Sequence, residues 1–482
     1  MFDKVLVANR GEIALRVMRA CRDLGVSTVA VHSEADGNAA FVKLADEAVE
    51  IGPPAPGQSY LLVDRIIDAA KRTGAQAIHP GYGFLSENQA LVRACEEAGI
   101  VFVGPPAGAM AAMGGKVAAR ERMIAAGVPV VPGSGALTGV EEAVAAADRI
   151  GYPVLVKASA GGGGIGMRVA TDEAELRTGL EAAQSTAQRA FGDATVFLER
   201  YVDEPRHIEI QVLADTHGNV IHVGERECSI QRRHQKIVEE APSPVITPEE
   251  RAEMGQAAVT AARAVGYVNA GTVEFIYSRG EFFFLEMNTR LQVEHPITEQ
   301  VYGLDLVVEQ LRVASGEKLS LTQEQIVPRG WAIECRINAE NPLKNFMPTP
   351  GRVSGYREPS GPGVRTDSSL TGPGVVSQYY DPMIAKLIAY GDSREQACAR
   401  MRRALQEYAI AGIITNIPYH LAILEHPDFV AGKLSTHFIP EHPELNESAA
   451  VWLERKRERD RALLTDNARV AAIAAATAVV VS

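Results

Sequence analysis

The chain has no CxxC pair; its five cysteines (Cys21, Cys95, Cys228, Cys335 and Cys398) are scattered and odd in number. Such usage reads as reduced thiols, mostly in the core, of a cytosolic protein. No apolar run reaches transmembrane length, and Asp3 and Lys4 precede a short strand where a signal peptide would begin, so neither membrane insertion nor export is expected. There is no basic surplus either: 48 Lys and Arg stand against 60 Asp and Glu, a net charge of −12, which speaks against non-specific nucleic-acid binding. The turn after the first strand, Asn9-Arg10-Gly11-Glu12, lacks the dinucleotide fingerprint, making an NAD site improbable. No internal repeat is found. What remains is ordinary for a soluble enzyme, 46% hydrophobic and 22% charged. At 482 residues it should fold as about two to four domains.

Along the chain, Lys4 to Ala8 predicts a strand, and Ile13, Val17, Cys21 and Leu24 mark one face of a following helix. Strands over Thr28–His32, Ala75–Ile78 and Ile100–Val103 alternate with helices, which indicates a doubly wound, mainly parallel sheet. Loops at the carboxyl ends of such strands, here His79-Pro80-Gly81-Tyr82-Gly83-Phe84, are natural ligand sites. A second region, from about Lys116 to Arg329, carries Val154-Leu155-Val156-Lys157 and then Gly161-Gly162-Gly163-Gly164-Ile165-Gly166. Met167 to Ala170 resumes a strand, and Asp172 with Glu175 has the spacing of a capping box. The glycine loop therefore joins two strands, whereas a Walker loop opens onto a helix and carries GK followed by Ser or Thr. From Gly330 to about Leu445, short strands mix with helices, and 394–410 predicts a helix presenting Ala397, Met401, Leu405 and Tyr408. The run Glu454 to Arg461 reads as a solvated helix, and the apolar end from Ala471 to Val481 could dock on another subunit.

Polar side chains recur at every second position in Glu286-Met-Asn288-Thr-Arg290-Leu-Gln292-Val-Glu294. In an extended segment they would share one face. A solvated edge strand gives the same alternation. The uncharged Phe282-Phe283-Phe284-Leu285 that leads into the row favours burial, and buried carboxylates bind a metal or a cation. Gly271 to Ile276 and Glu281 to Glu286 predict a hairpin turning at Gly280, with Glu274 opposite Glu286. Two facing carboxylates repel unless a cation such as magnesium lies between them. The glycine loop lets main-chain N–H groups approach phosphate oxygens, with Lys157 within reach and Lys116 a further candidate. The basic cluster Ile230-Gln231-Arg232-Arg233-His234-Gln235-Lys236 could be a solvated loop or, beside these features, an anion-binding wall.

These residues resemble the biotin carboxylase component of biotin-dependent carboxylases, in the ATP-grasp superfamily. The stretches that carry the resemblance are VLVANRGEIALRVMRAC, HPGYGFLSEN, VLVKASAGGGGIGMRV, RHIEIQVLAD, CSIQRRHQKIVEEAP, AGTVEF, FLEMNTRLQVEHPITE and ECRINAE, in order from residue 2 to about residue 445. The resemblance implies an α/β and α+β fold. Its parts are a doubly wound pre-ATP-grasp domain over 1–114, an ATP-grasp domain over 115–329 with a glycine-rich lid at about 131–203, and a C-terminal α+β domain over 330–445. A helical tail would occupy 446–482 and could dock a partner.

It also implies a reaction in which ATP, bicarbonate and biotin give ADP, phosphate and N1′-carboxybiotin, with Mg2+ (or Mn2+). Lys116, Lys157, Glu199, His207 and Gln231 would contact ATP beneath Gly161 to Gly164, Gly166 and Met167, with His234 and Lys236 near the phosphates. Glu274, Glu286 and Asn288 would hold the metal. Arg290, Gln292 and Val293 would bind bicarbonate with Glu294, beside Arg290, as its base; Arg336 would stabilise the biotin enolate and Tyr82 would border its pocket. Ile165 stands where the family commonly has Lys or Arg, which puts the lid's hold on ATP in question. No Met-Lys-Met, the family's biotinylation motif, occurs. The expectation is therefore a cytoplasmic protein, working as a homodimer or within a larger hetero-oligomer, that serves a biotin carboxyl carrier protein and a carboxyltransferase. The final acceptor would be acetyl-CoA or propionyl-CoA, with pyruvate, or another ATP-grasp ligase activity, as alternatives.

Overall fold

The structure, a computed structural model, describes residues 1–482 apart from 138, 160–166, 459–460, 463–464, 466–468, 470–482 and the side chain of Phe191. The expectations for Gly161 to Gly166, Ile165 included, and for 471–481 lie outside the described residues.

The first five strands, β1 (Lys4–Val7), β2 (Ser27–Ser33), β3 (Glu47–Gly52), β4 (Ala77–His79) and β5 (Val101–Phe102), form a sheet in the order β3-β2-β1-β4-β5. Every pairing in it is parallel, as the strand–helix alternation predicts. The strand order reverses between β1 and β4, so the loops after these two strands open a crevice at a topological switch point. Asn9 closes the back of this crevice, its amide donating to the carbonyls of Pro80 (2.7 Å) and Tyr82 (2.8 Å). Gly81 is required there: φ is +62°, and a Cβ would meet Ile13 Cγ1 at 2.9 Å.

A separate sheet, β7-β6-β8, holds β6 (Val154–Ala158), β7 (Arg168–Ala170) and β8 (Val196–Arg200), covered by the helices Val140–Ile150 and Glu173–Phe191. Asp172 caps the second helix by accepting from the Glu175 N–H at 2.9 Å. Glu175 does not reciprocate in the expected box, since its carboxylate turns to the main-chain N–H and hydroxyl of Thr171, one residue earlier.

The largest sheet has eight antiparallel strands in the order β13-β12-β9-β10-β11-β14-β21-β19. Its members are β9 (Arg206–Ala214), β10 (Val220–Arg232), β11 (Gln235–Ala241), β12 (Asn269–Ser278), β13 (Glu281–Asn288), β14 (Trp331–Asn338), β19 (Val364–Ser368) and β21 (Met383–Gly391). Between β14 and β21 lie the short strands β15 (Glu340–Asn341), β16 (Met347–Pro348), β17 (Gly351–Val353), β18 (Gly355–Arg357) and β20 (Gly374–Val376). Three strands from beyond residue 330, β14, β21 and β19, thus continue the central sheet through the pairing of β14 on β11, while β15 with β16 and β17 with β20 pair separately.

The helix expected over 394–410 ends at Glu407, and Tyr408 leads into a strand over Ala409–Ala411 that pairs with β18. The tail begins as a helix over 445–458 whose Leu445, Ala449 and Leu453 are buried. The charge run is not wholly solvated, because Lys456 folds inward to the Tyr408 carbonyl at 3.3 Å. All five cysteines are free and buried. Among the described residues no helix is long and apolar enough to cross a membrane.

Candidate active site

A cleft of about 1090 Å³ lies between the N-terminal crevice, the three-stranded sheet and one face of the eight-stranded sheet. Every site residue expected from the sequence and lying within the described residues lines it.

The β12–β13 hairpin turns at Arg279 and Gly280, both left-handed, and brings Glu274 opposite Glu286. The alternating row does not continue as one strand. β13 ends at Asn288, and Thr289 then bends the chain because its N–H and hydroxyl both bind Glu87, at 2.9 and 3.1 Å. Glu294 takes the N-cap position of the helix His295–Tyr302. The row converges nonetheless: Asn288 and Gln292 each donate to Glu274 Oε1 at 2.8 Å.

Lys236 is the hub. Its ammonium binds Glu294 (2.7 Å), Glu274 (3.0 Å) and Glu209. Arg336 holds the other oxygen of Glu294 at 2.9 Å and Glu239 at 2.6 Å. Burial favours the protonated form of Glu294, but Lys236, Arg336 and Arg226 outweigh it and hold the carboxyl well below its usual range. The same balance against burial, struck by Lys236 and His207, keeps Glu274 ionised. The cations that pair with Glu294 are therefore Lys236 and Arg336. Arg290, expected beside it, turns instead to Glu87 Oε2 and Asn288 Oδ1, both at 3.1 Å. The change follows from the chain beyond Asn288 not being a strand: Arg290 and Glu294 both lie past the bend, and Glu294 already caps a helix, so the two do not share a strand face.

Glu286 is in the opposite condition to Glu274: burial, then the charge of Glu274, raises its carboxyl. Such a pair, with the side-chain oxygen of Asn288 nearby, offers hard oxygen donors, which fits a magnesium ion. His207 Nε2 stands 3.1 Å from Glu274 Oε2.

Toward the three-stranded sheet, Lys157 pairs with Glu199 at 2.7 Å, and Lys116 opens the helix Lys116–Ala125. Gln231 is tied to the Cys228 carbonyl at 2.8 Å. Arg233 and His234 form the β10–β11 turn in left-handed conformations, φ 50° and 66°, which aims His234 into the cleft. Burial, followed by His207, His437, Lys116 and Lys157, lowers the His234 imidazole. Such a gathering of basic groups suits phosphate oxygens. Met167, Val293 and Tyr82 complete the lining.

Sequence reasoning missed Glu209, Arg226, Glu239, Glu87, Thr436 and His437. The alternation His207, Glu209, Gln211 in RHIEIQ was available as a signal for the first of these. Arg226 is wholly buried, with each of its N–H groups used: on Glu209, Gln211, Thr298, Thr272 and Gln292.

Comparison with known proteins agrees with this geometry. Residues 1–110 match the family model "Biotin carboxylase, N-terminal domain", 115–322 match "Carbamoyl-phosphate synthase L chain, ATP binding domain", and 334–441 match "Biotin carboxylase C-terminal domain". The chain is 59% identical over 443 residues to a pyruvate carboxylase subunit from Methanothermobacter thermautotrophicus, covering 92% of this chain and 90% of that one. It is 58% identical over 442 residues to biotin carboxylase 1 of Bacillus subtilis, covering 91% and 98%. Its structure is similar, with a TM-score of 0.87, 51% identity and coverage of 92% and 99%, to the biotin carboxylase domain dimer of Hydrogenobacter thermophilus 2-oxoglutarate carboxylase, solved with MgADP, ADP and bicarbonate. The chain belongs to the biotin carboxylase family of ATP-grasp ligases.

Proposed function

We propose that the cleft carboxylates biotin at the expense of ATP, in the first half-reaction of a biotin-dependent carboxylase. The observation that carries this reading is the fixing of one ionised carboxylate, Glu294, between Lys236 and Arg336, next to the Glu274–Glu286 pair.

Lys116, Lys157, Glu199, His207 and Gln231 bind ATP, with Gly161 to Gly164, Gly166 and Met167 as its cover and His234 and Lys236 at its phosphates. Glu274, Glu286 and Asn288 hold Mg2+, which when bound neutralises charge developing on the transferred phosphoryl group. Arg290, Gln292 and the Val293 main chain orient bicarbonate. Glu294 takes the bicarbonate proton as the anion attacks the γ-phosphate, giving carboxyphosphate and ADP. With its carboxyl held so low, Glu294 is a weak base while it is paired; an anion that draws Lys236 away raises its basicity when needed. Carboxyphosphate breaks down to CO₂ and a phosphate basic enough to deprotonate the ureido nitrogen. Arg336 then faces the enolate oxygen, while Tyr82 borders the ring. A closed cleft limits hydrolysis of the intermediate.

We assign the biotin to a carboxyl carrier protein, the next step to a carboxyltransferase, and the working form to a dimer or larger assembly in the cytoplasm. Acetyl-CoA or propionyl-CoA is the proposed final acceptor. Pyruvate is the second reading, favoured by the identity to a pyruvate carboxylase subunit. The test is ADP release with magnesium and bicarbonate, with and without free biotin. Biotin-stimulated turnover that Glu294→Gln or Arg336→Ala abolishes is the expected result. Turnover indifferent to bicarbonate would overturn the reading, and reconstitution with carrier and transferase selects the acceptor.

A further inference from the structure

Lys386 belongs to none of the groups assigned above, yet its side chain is 0% exposed. Its ammonium donates to the main-chain oxygen of Val293 at 3.1 Å. It stands 3.3 Å from Glu12 Oε2, 3.9 Å from Asp367 Oδ2 and 5.7 Å from the centre of the Tyr82 ring. One atom therefore joins the loops of the N-terminal sheet, the strands β19 and β21, and the turn before the helix His295–Tyr302. A buried ammonium is costly unless paired and hydrogen-bonded. The ion pair with Glu12, at 3.3 Å, is longer than the contact to Val293. The close contact that Lys386 makes is the one to Val293.

Register adds to this. Lys386 faces Arg336 across the β14–β21 ladder, so two cations lie side by side over consecutive residues. Arg336 takes the Glu294 carboxylate at 2.9 Å, and Lys386 takes the Val293 carbonyl. The preceding carbonyl, that of Gln292, is held by His295 through its ring Nδ1 at 2.8 Å. Peptide units are planar, so an anchored carbonyl fixes the N–H on the other side of the same unit. The units on both sides of Val293 are fixed in this way.

We infer that Lys386 is a positioning residue for the bicarbonate subsite: by anchoring the Val293 carbonyl, it sets the Val293 main chain and the Glu294 carboxylate against the bound anion. The inference rests on the bicarbonate role proposed for residues 290–294.

The test compares two double variants in the ADP-release assay. Lys386→Met/Glu12→Gln removes the donor and neutralises its nearest carboxylate together, while Asp367 keeps its pairing with Arg365. Lys386→Arg/Glu12→Asp keeps charge, donor and combined side-chain length. The bicarbonate KM of the Met/Gln variant should rise about tenfold, the effect of losing one hydrogen bond from a charged donor. Its KM for ATP should stay within about twofold, and the Arg/Asp variant should return both constants to within about threefold of wild type. A merely structural lysine would lower the melting temperature without dividing the two constants. An unchanged bicarbonate KM in a cooperatively melting Met/Gln variant overturns the inference, as do bicarbonate and ATP constants that rise together. If the Met/Gln variant does not fold, the same division is read on Lys386→Gln/Glu12→Gln, whose shorter amide falls short of Val293. Wild-type turnover that does not depend on bicarbonate would instead overturn the underlying functional reading.

Discussion

Arg226 offers the sharpest test of how the site is built. Its guanidinium is 0% exposed and donates to Gln211 (2.8 Å), Thr298 and Gln292 (2.9 Å each), Thr272 (3.1 Å) and Glu209. Arg226→Met fills most of the space and removes every donor. The two threonine hydroxyls can rotate to new partners, whereas the Glu209 carboxylate cannot and keeps Lys236 as its one hydrogen-bond donor. Breaking one side of a buried ion pair costs about 3–5 kcal/mol. The stranded amide oxygens of Gln211 and Gln292 add about 1 kcal/mol each. The sum, about 5–7 kcal/mol, rivals the whole stability of an ordinary domain. Thermal unfolding followed by circular dichroism and calorimetry should show the apparent Tm falling by at least about 10 °C. Adding Glu209→Gln to the variant should restore part of the loss, because the stranded charge is then gone. A Tm within about 3 °C of wild type, or strictly additive effects of the two substitutions, would refute the reasoning.

Magnesium should raise the Tm of the wild type but not of Glu274→Gln/Glu286→Gln; equal shifts in both would place the cation elsewhere. Arg290→Ala should raise the bicarbonate KM about tenfold or more with little change for ATP, and Glu87→Gln should act in the same direction but less, since it loosens Arg290 Nε. His420, whose Nε2 lies 2.7 Å from the Arg336 carbonyl, is lowered by burial from 6.5 to about 4. A folded-state pKa below the unfolded one gives stability that is present above 6.5 and lost as the pH falls toward 4, so the wild type should lose more Tm on acidification than His420→Gln. A parallel decline in the two proteins would show that His420 is not a source of that loss.

Local pattern made much of this legible. The hairpin turn at Gly280 and the parallel N-terminal sheet follow from residue spacing, whereas the Glu274–Glu286 pairing also needs a bulge: the turn pairs Phe275 with Phe284, and the register slips by one residue before Glu274 meets Glu286. Two kinds of feature did not. One is bending: a polar row in strict alternation looks like a strand, and only the grip of Glu87 on Thr289, 202 residues away in sequence, ends it at Asn288. The other is buried charge. Arg226, Glu209 and Glu239 lie within ordinary strand sequence, where charged side chains are expected at the surface, and only the partner strands supply their counter-charges. The joining of β14 to β11 was equally hidden, because the residues of a strand do not state which sheet it enters.

The site is a continuous electrostatic chain: Arg226 to Glu209, Glu209 to Lys236, Lys236 to Glu294, Glu294 to Arg336, Arg336 to Glu239. In it Glu294 has two cationic partners, which lower its tendency to take a proton. An anion entering beside Lys236 competes for the ammonium and leaves the carboxylate with Arg336 alone, which raises its proton affinity. On the proposed roles, basicity at Glu294 then appears with bicarbonate and is absent without it. ATP bound alone meets no competent base, so its hydrolysis should be slow until bicarbonate arrives. The same logic bears on Arg336: its Nε and Nη2 are taken by Glu239 and Glu294, so protonation of Glu294 frees more of its charge for a developing enolate. Lys236→Met should therefore uncouple the steps. With its stronger partner gone, Glu294 would be more basic before bicarbonate binds, and bicarbonate-independent ATP turnover should rise as a fraction of the total. A fraction unchanged from wild type would count against partner exchange as the device that times the base.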